Sequence, residues 1–142
     1  MSPLAERQKT LIDRFSAFSS WEDRYREIIE AGKRLAPYPE ERRLDDFKVS
    51  GCQSQVWLFP ELRGHRVFFH ADSDALITKG LIALLLELYS DATSEEIMAT
   101  APEFIQALGL ESKLSPSRAN GLFSMVKQIK MYAIALQATL RS

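Results

Sequence analysis

Gly51-Cys52-Gln53-Ser54-Gln55-Val56-Trp57-Leu58 holds the only cysteine of the chain, on the approach to its first convincing strand. Val56, Trp57, Leu58 and Phe59 bring β-branched and aromatic side chains together in a short run, the composition of a packed strand. Cys52 therefore sits on the turn that leads into that strand, and a loop residue held by a rigid element is a common place for reactivity. The residues beside it are small or polar, which argues against simple core filling and for an accessible, partly ionised thiol. Gly51 removes a side chain next to the sulfur and permits backbone angles that other residues avoid. Against this stands the ordinary role of a lone cysteine as a small buried hydrophobe. Composition and spacing leave both readings open.

Outward from this stretch the pattern is helical, then stranded, then helical again. Leu4, Leu11, Ile12, Phe15 and Phe18 recur at helical spacing and predict an amphipathic helix closing near Ser19. Ser20, with Asp23 three residues on, opens a second helix that buries Trp21, Tyr25, Ile28 and Ile29 and is weakened at its end by Gly32. Pro37 and Pro39 break the pattern, and Glu40-Glu41-Arg42-Arg43 is a solvated loop. Phe47, Lys48 and Val49 suit a short strand. Gln55 to Phe59 and Arg66 to Ala71 form a hairpin turning around Glu61 to Gly64, with Val67 and Phe69 on one face and Phe68 and His70 on the other.

Asp72, Ser73 and Asp74 have the chemistry of helix caps ahead of an apolar helix through Leu76, Ile77, Gly80, Leu81, Leu84, Leu85 and Leu88. Metal binding or acid catalysis is the competing use of the two carboxylates, and capping is the commoner one. Gly80 marks the close approach of another backbone. Thr93 or Ser94 caps a short helix; Pro102 opens another that Gly109 closes; Ser115 and Pro116 start the last, which carries Leu122, Phe123, Met125, Val126, Ile129, Tyr132, Ala133 and Leu136. The sum is an α+β fold of one domain, 1–142, in which a small antiparallel sheet of about three strands is covered by helices.

Four sequence blocks in order resemble the SufE family: Trp21 to Tyr25 with Gly32 and Leu35; the octapeptide 51–58; Asp72-Ser73-Asp74 ahead of Lys79-Gly80-Leu81; and Ser115-Pro116-Ser117-Arg118 with Gly121-Leu122. These are small cysteine desulfuration proteins. The resemblance implies that Cys52 takes persulfide sulfur from a SufS-like cysteine desulfurase, stimulates that enzyme, and passes the sulfur to a SufBCD-like iron–sulfur scaffold complex. It implies an accessory protein rather than an enzyme, with no cofactor bound by this chain, since pyridoxal phosphate belongs to the partner. Gly51, Gln53, Gln55 and Arg118 become supporting residues of the cysteine loop, with Trp57 packing at its base. A cation in the first turn of a helix opposes the helix dipole, so Arg118 needs another justification. An ion pair at the helix start is as good a one as contact with the thiolate. CsdE-type relatives serve another desulfurase and differ after the cysteine; Gln53-Ser54-Gln55 favours the SufE branch. The oligomeric state, a homodimer included, stays open.

Composition narrows the alternatives. With 18 Lys and Arg against 19 Asp and Glu, the formal net charge is −1, so no general positive field draws the chain to nucleic acid or to an anionic membrane. No apolar run approaches a membrane span and the start lacks an apolar signal core, which predicts a cytoplasmic protein. One cysteine and two histidines neither close an internal disulfide nor readily assemble a structural zinc site or hold a cluster. A cysteine hydrolase or acyl transferase wants a histidine within reach of the thiol, and His65 and His70 fall in the hairpin. A non-catalytic adaptor that uses Cys52 only for packing is the remaining rival.

Overall fold

The computed structural model describes residues 3–141, the last of them by its backbone alone. The elements run α1 (Pro3–Ser16), α2 (Trp21–Lys33), β1 (Val56–Arg63), β2 (Arg66–Ser73), α3 (Leu76–Tyr89), β3 (Ala92–Thr93), α4 (Ser94–Ala99), α5 (Phe104–Ala107), α6 (Leu110–Lys113) and α7 (Pro116–Arg141). Single 3-10 turns occupy Glu40–Arg42 and Asp45–Phe47. The α+β class is as expected, with one antiparallel sheet in the order β1-β2-β3.

α3 is the hub. Ile77, Leu81, Ile82, Leu84, Leu85 and Leu88 are all buried, so the helix is apolar on most of its circumference, as a helix surrounded by other elements must be. α2, α1, α7 and β2 pack around it. Its closest neighbour is α2, where Gly32 and Gly80 face each other: a Cβ on Gly32 would lie 2.8 Å from the Gly80 nitrogen, and one on Gly80 would run into the Ile28 carbonyl. Gly80 thus marks the backbone approach that the sequence suggested. Gly32 lies in the last turn of α2, where the sequence placed it, and forms the other half of this contact as a buried residue.

Three expectations about the sheet need correction. The hairpin strands are longer than predicted and pair from Val56↔Ser73 to Arg63↔Arg66, leaving Gly64 and His65 as the turn; Gly64 takes φ +62°, which a tight hairpin needs at its first central residue. Residues 47–49 add only a single bridge, Lys48↔Trp57, because Phe47 closes a 3-10 turn. The third strand is Ala92–Thr93, too short to be seen as a periodic run. Alternation along β1 sends Val56 and Leu58 into the main core, and Trp57 and Phe59 to the opposite face with Tyr38 and Phe47.

Several caps are as read. Ser20 accepts from the Asp23 N–H, Thr93 and Glu96 form a reciprocal capping box, and the Ser115 hydroxyl accepts from the Arg118 N–H. α1 ends at Ser16, slightly earlier than expected. Beyond Gly109, at φ +67°, the short α6 is an addition that four residues of mixed character did not signal.

Candidate functional site

The cysteine loop is a six-residue excursion, 50–55, closed at its base. Val49 N–H donates to Val56 O at 2.9 Å, beside the Lys48↔Trp57 bridge. Gly51 takes φ +88°, and a Cβ there would lie 2.5 Å from Ser124 Oγ, so the turn both requires glycine's freedom and passes close to α7.

A second set of bonds fastens the far end of the loop, and it overturns the capping role given to the acidic residues. α3 starts with Ala75 at its N-cap and no side-chain cap. Asp74 instead accepts from the Gln55 backbone N–H at 3.0 Å and from Gln55 Nε2 at 3.4 Å. Ser73 Oγ donates to Gln55 O at 2.8 Å, and the same carbonyl accepts from the Asp74 N–H at 3.3 Å. Asp72 belongs to β2 and meets Arg43 at 3.0 Å and Lys79 at 3.2 Å. Burial pushes its carboxyl up, but bonds from the Ser73 N–H, Arg43 and Lys79 prevail and hold it below the usual carboxylate range. Because β2 ends only at Ser73, these residues sit beside the strand that follows Cys52, where they clamp the loop.

Cys52 is half-buried against the first turns of α7. Its Sγ donates weakly to the Gly121 carbonyl at 3.6 Å, and a Cβ added to Gly121 would lie 3.5 Å from that sulfur. Glycine at 121 thus leaves the helix surface bare where the thiol seats. Burial raises the Cys52 thiol above the value of an ordinary cysteine, so the protein at rest holds a thiol and not the partly ionised group that its polar neighbours suggested. The flanks are polar because they line a pocket, not because the sulfur is bare to solvent.

That pocket, of about 330 Å³, has Cys52, Gln53 and Ser54 on one side. Ser115, Ser117 and Arg118 from the start of α7, and Thr78 and Leu81 from α3, form the rest of its wall. Arg118 makes no ion pair among the described residues; its Nη1 donates to the Tyr25 hydroxyl at 3.3 Å, tying α7 to α2. Among the expected supporting residues, Gln53 and Arg118 therefore share the pocket with Cys52, Gly51 shapes the turn, and Gln55 faces away towards Asp74. Trp57 lies on the other sheet face, with the Arg43 guanidinium 4.7 Å from its ring. Thr78 and Ser73 were missed as site residues; the available signal was a hydroxyl at positions flanked by apolar helix residues or by caps.

The histidine needed for hydrolase chemistry is elsewhere. His70 Nε2 lies 2.8 Å from Glu61 Oε1 and the ring stacks on Phe59, while His65 is in the hairpin turn; neither lines the pocket. Among the described residues no group of three or more His, Cys, Asp and Glu is arranged to hold a metal ion. No helix among them is long and apolar enough to cross a membrane.

Comparison with known proteins gives this geometry a family. The model of the SufE domain, described as an Fe-S metabolism associated domain, matches residues 9–133. An uncharacterized SufE-like protein of Rhizobium etli is 46% identical over 125 residues, covering 84% of each chain. One from Synechocystis sp. is 39% identical over 127 residues, covering 89% of this chain and 80% of the relative. The solution structure of a hypothetical protein from Thermus thermophilus superimposes with a TM-score of 0.77 over 96% of this chain and 97% of that one; at 22% identity it speaks for the fold. With a family match over most of its length and two similar relatives, the chain belongs to the SufE family, whose domain is associated with iron–sulfur metabolism.

Proposed function

We propose that the protein is a sulfur acceptor: Cys52 takes the outer sulfur of a persulfide carried by a pyridoxal-phosphate cysteine desulfurase and passes it to an iron–sulfur cluster assembly scaffold. The Cys52 thiolate attacks the outer sulfur of the donor persulfide, a new S–S bond forms at Cys52, the donor S–S bond breaks, and the donor cysteine leaves as a thiolate. Sulfur oxidation states are exchanged between the two proteins without an external oxidant or reductant.

The observation that carries this reading is the placement of the one cysteine: on a loop fastened at both ends, half-buried over a polar pocket, with no histidine base beside it. Such a thiol is guarded against casual oxidation and becomes a nucleophile once docking moves it or supplies charge. Arg118, at the pocket with no carboxylate partner among the described residues, is suited to stabilise the thiolate. Raising the ionised fraction and lending a second thiol to carry sulfur away is also how such a protein stimulates a desulfurase whose own persulfide is slow to clear.

Intact-mass measurement after incubation with a cysteine desulfurase, pyridoxal phosphate and cysteine tests the proposal. Wild type gains one sulfur and the Cys52→Ala variant gains none while keeping its circular dichroism spectrum. Sulfur on the Ala variant, or an unmodified wild type beside an active desulfurase, refutes it; an unmodified chain that still binds the desulfurase would be an adaptor.

A further inference from the structure

Thr78, a largely buried residue, lines the Cys52 pocket with a hydroxyl that the fold itself does not use. The residue is 6% exposed and lies in the first turn of α3. A threonine deeper in a helix can return its hydroxyl to the carbonyl four residues back, as Thr139 does to Ala135 O at 3.1 Å, but four residues before Thr78 stands Asp74, ahead of the helix. The Thr78 hydroxyl makes no such bond and has no partner among the described residues; its side chain lines the Cys52 pocket. Among the described residues the fully buried side-chain atoms without a partner are Arg14 Nε, Trp57 Nε1 and Ser94 Oγ; the Thr78 hydroxyl is not one of them and stays open to the pocket, where it is free to bond an occupant.

Around it the pocket favours negative charge. Arg118 is the only charged group among the lining residues. Ser115 and Ser117 lie at the start of α7, a 26-residue helix whose N-terminal end carries partial positive charge. Cys52 reaches the same space from the loop. A pocket of about 330 Å³ is many times what one small occupant needs, so a second sulfur on Cys52 fits without repacking. A persulfide is more acidic than its parent thiol, because the charge sits on a sulfur already bonded to sulfur.

We propose that Thr78 donates a hydrogen bond to the outer sulfur of a Cys52 persulfide folded back into the pocket, and with Arg118 and the α7 N-terminus holds it there as the anion. Thr78 is thus a binding residue for the cargo, and it acts between the two transfer steps, when the loaded protein is free of both partners. The inference rests on the sulfur-acceptor reading and adds to it a device that keeps the cargo ionised yet enclosed.

The test loads the full-length chain chemically, so that it does not depend on a desulfurase. Inorganic polysulfide, attacked by the Cys52 thiolate, leaves a persulfide on Cys52 and a shortened polysulfide. Loaded and unloaded chains are then alkylated with iodoacetamide across a pH series and read by intact mass. Thr78→Val keeps the shape of the side chain and removes the donor. Its loaded form is expected to ionise about one pH unit higher than wild type, hence to be roughly tenfold less ionised below that pH. The unloaded thiol profile stays in place, and Thr78→Ser restores the wild-type profile. A loaded Thr78→Val chain that titrates like wild type, or loaded and unloaded profiles that shift together, overturns the proposal. So does a wild-type chain that cannot be loaded. Thr78→Ala repeats the measurement should Val disturb the fold. A chain that loads from polysulfide but not from a desulfurase loses the acceptor function while the Thr78 effect stands; one that loads from both without a Thr78 effect loses only the latter.

Discussion

The Ser73→Ala substitution isolates the clamp that keeps Cys52 in its pocket. Ser73 Oγ donates to Gln55 O at 2.8 Å and accepts from the Ala75 N–H at 3.3 Å, and the residue is buried. Removing the hydroxyl leaves Gln55 O with its second, longer bond from the Asp74 N–H at 3.3 Å, so the carbonyl is weakened but not orphaned. One buried neutral hydrogen bond contributes about 1 kcal/mol net. If the loop must release Gln55 before the thiol leaves α7, the closed loop is destabilised relative to the open one by that amount, and the open fraction rises about fivefold. Alkylation of Cys52 by iodoacetamide, measured under native conditions where opening is fast and reaction slow, should accelerate by the same factor. The far-UV spectrum should be unchanged and the urea midpoint should fall only slightly. An unchanged alkylation rate accompanied by a lower urea midpoint would refute the reasoning, since the bond would then support the fold as a whole and the thiol would be reached without releasing the clamp.

Three other outcomes follow from the same structure. Gly80→Ala drives a Cβ to 2.6 Å from the Ile28 carbonyl carbon, a backbone atom that cannot turn aside; despite the better helix propensity of alanine, we expect a loss of about 2 kcal/mol or more in urea unfolding. Burial raises the Cys52 thiol, so its alkylation in the folded chain should rise with pH later than in the urea-unfolded chain. The sign for stability is a contribution present below the unfolded-state value and lost as pH rises through the folded-state value, and Cys52→Ala should lack that loss. Arg118→Ala, at an exposed helix start, should leave the urea midpoint within about 0.5 kcal/mol of wild type. Its sulfur uptake from a desulfurase should fall about tenfold, in line with the loss of a charged hydrogen-bond donor.

Much of the fold was legible in local chemistry. Serine and threonine at helix starts, glycines at turns, and the apolar run from Ile77 to Leu88 announce their elements because each depends on neighbours a few residues away. Strand Ala92–Thr93 was not legible, because two residues carry no period; it exists because Asp91, at φ 58°, turns the chain back so that its N–H meets Val67 O at 2.7 Å. The acidic residues after β2 misled for a related reason. Capping chemistry and loop clamping use the same side chains, and only the pairing of β1 with β2 brings Gln55 within reach of Ser73 and Asp74.

By itself the sequence determined that one thiol is present, that it lies on a loop before a strand, and that the surrounding blocks are those of one family. The tertiary structure decided the state of that thiol. Its shelter, its suppressed ionisation, and the company of Thr78 and Arg118 come from α3 and α7 crossing beside a loop distant from both in the chain. Ionisation and access depend on what surrounds a group in space, and residues at 78, 118 and 121 become neighbours of Cys52 only when the helices pack.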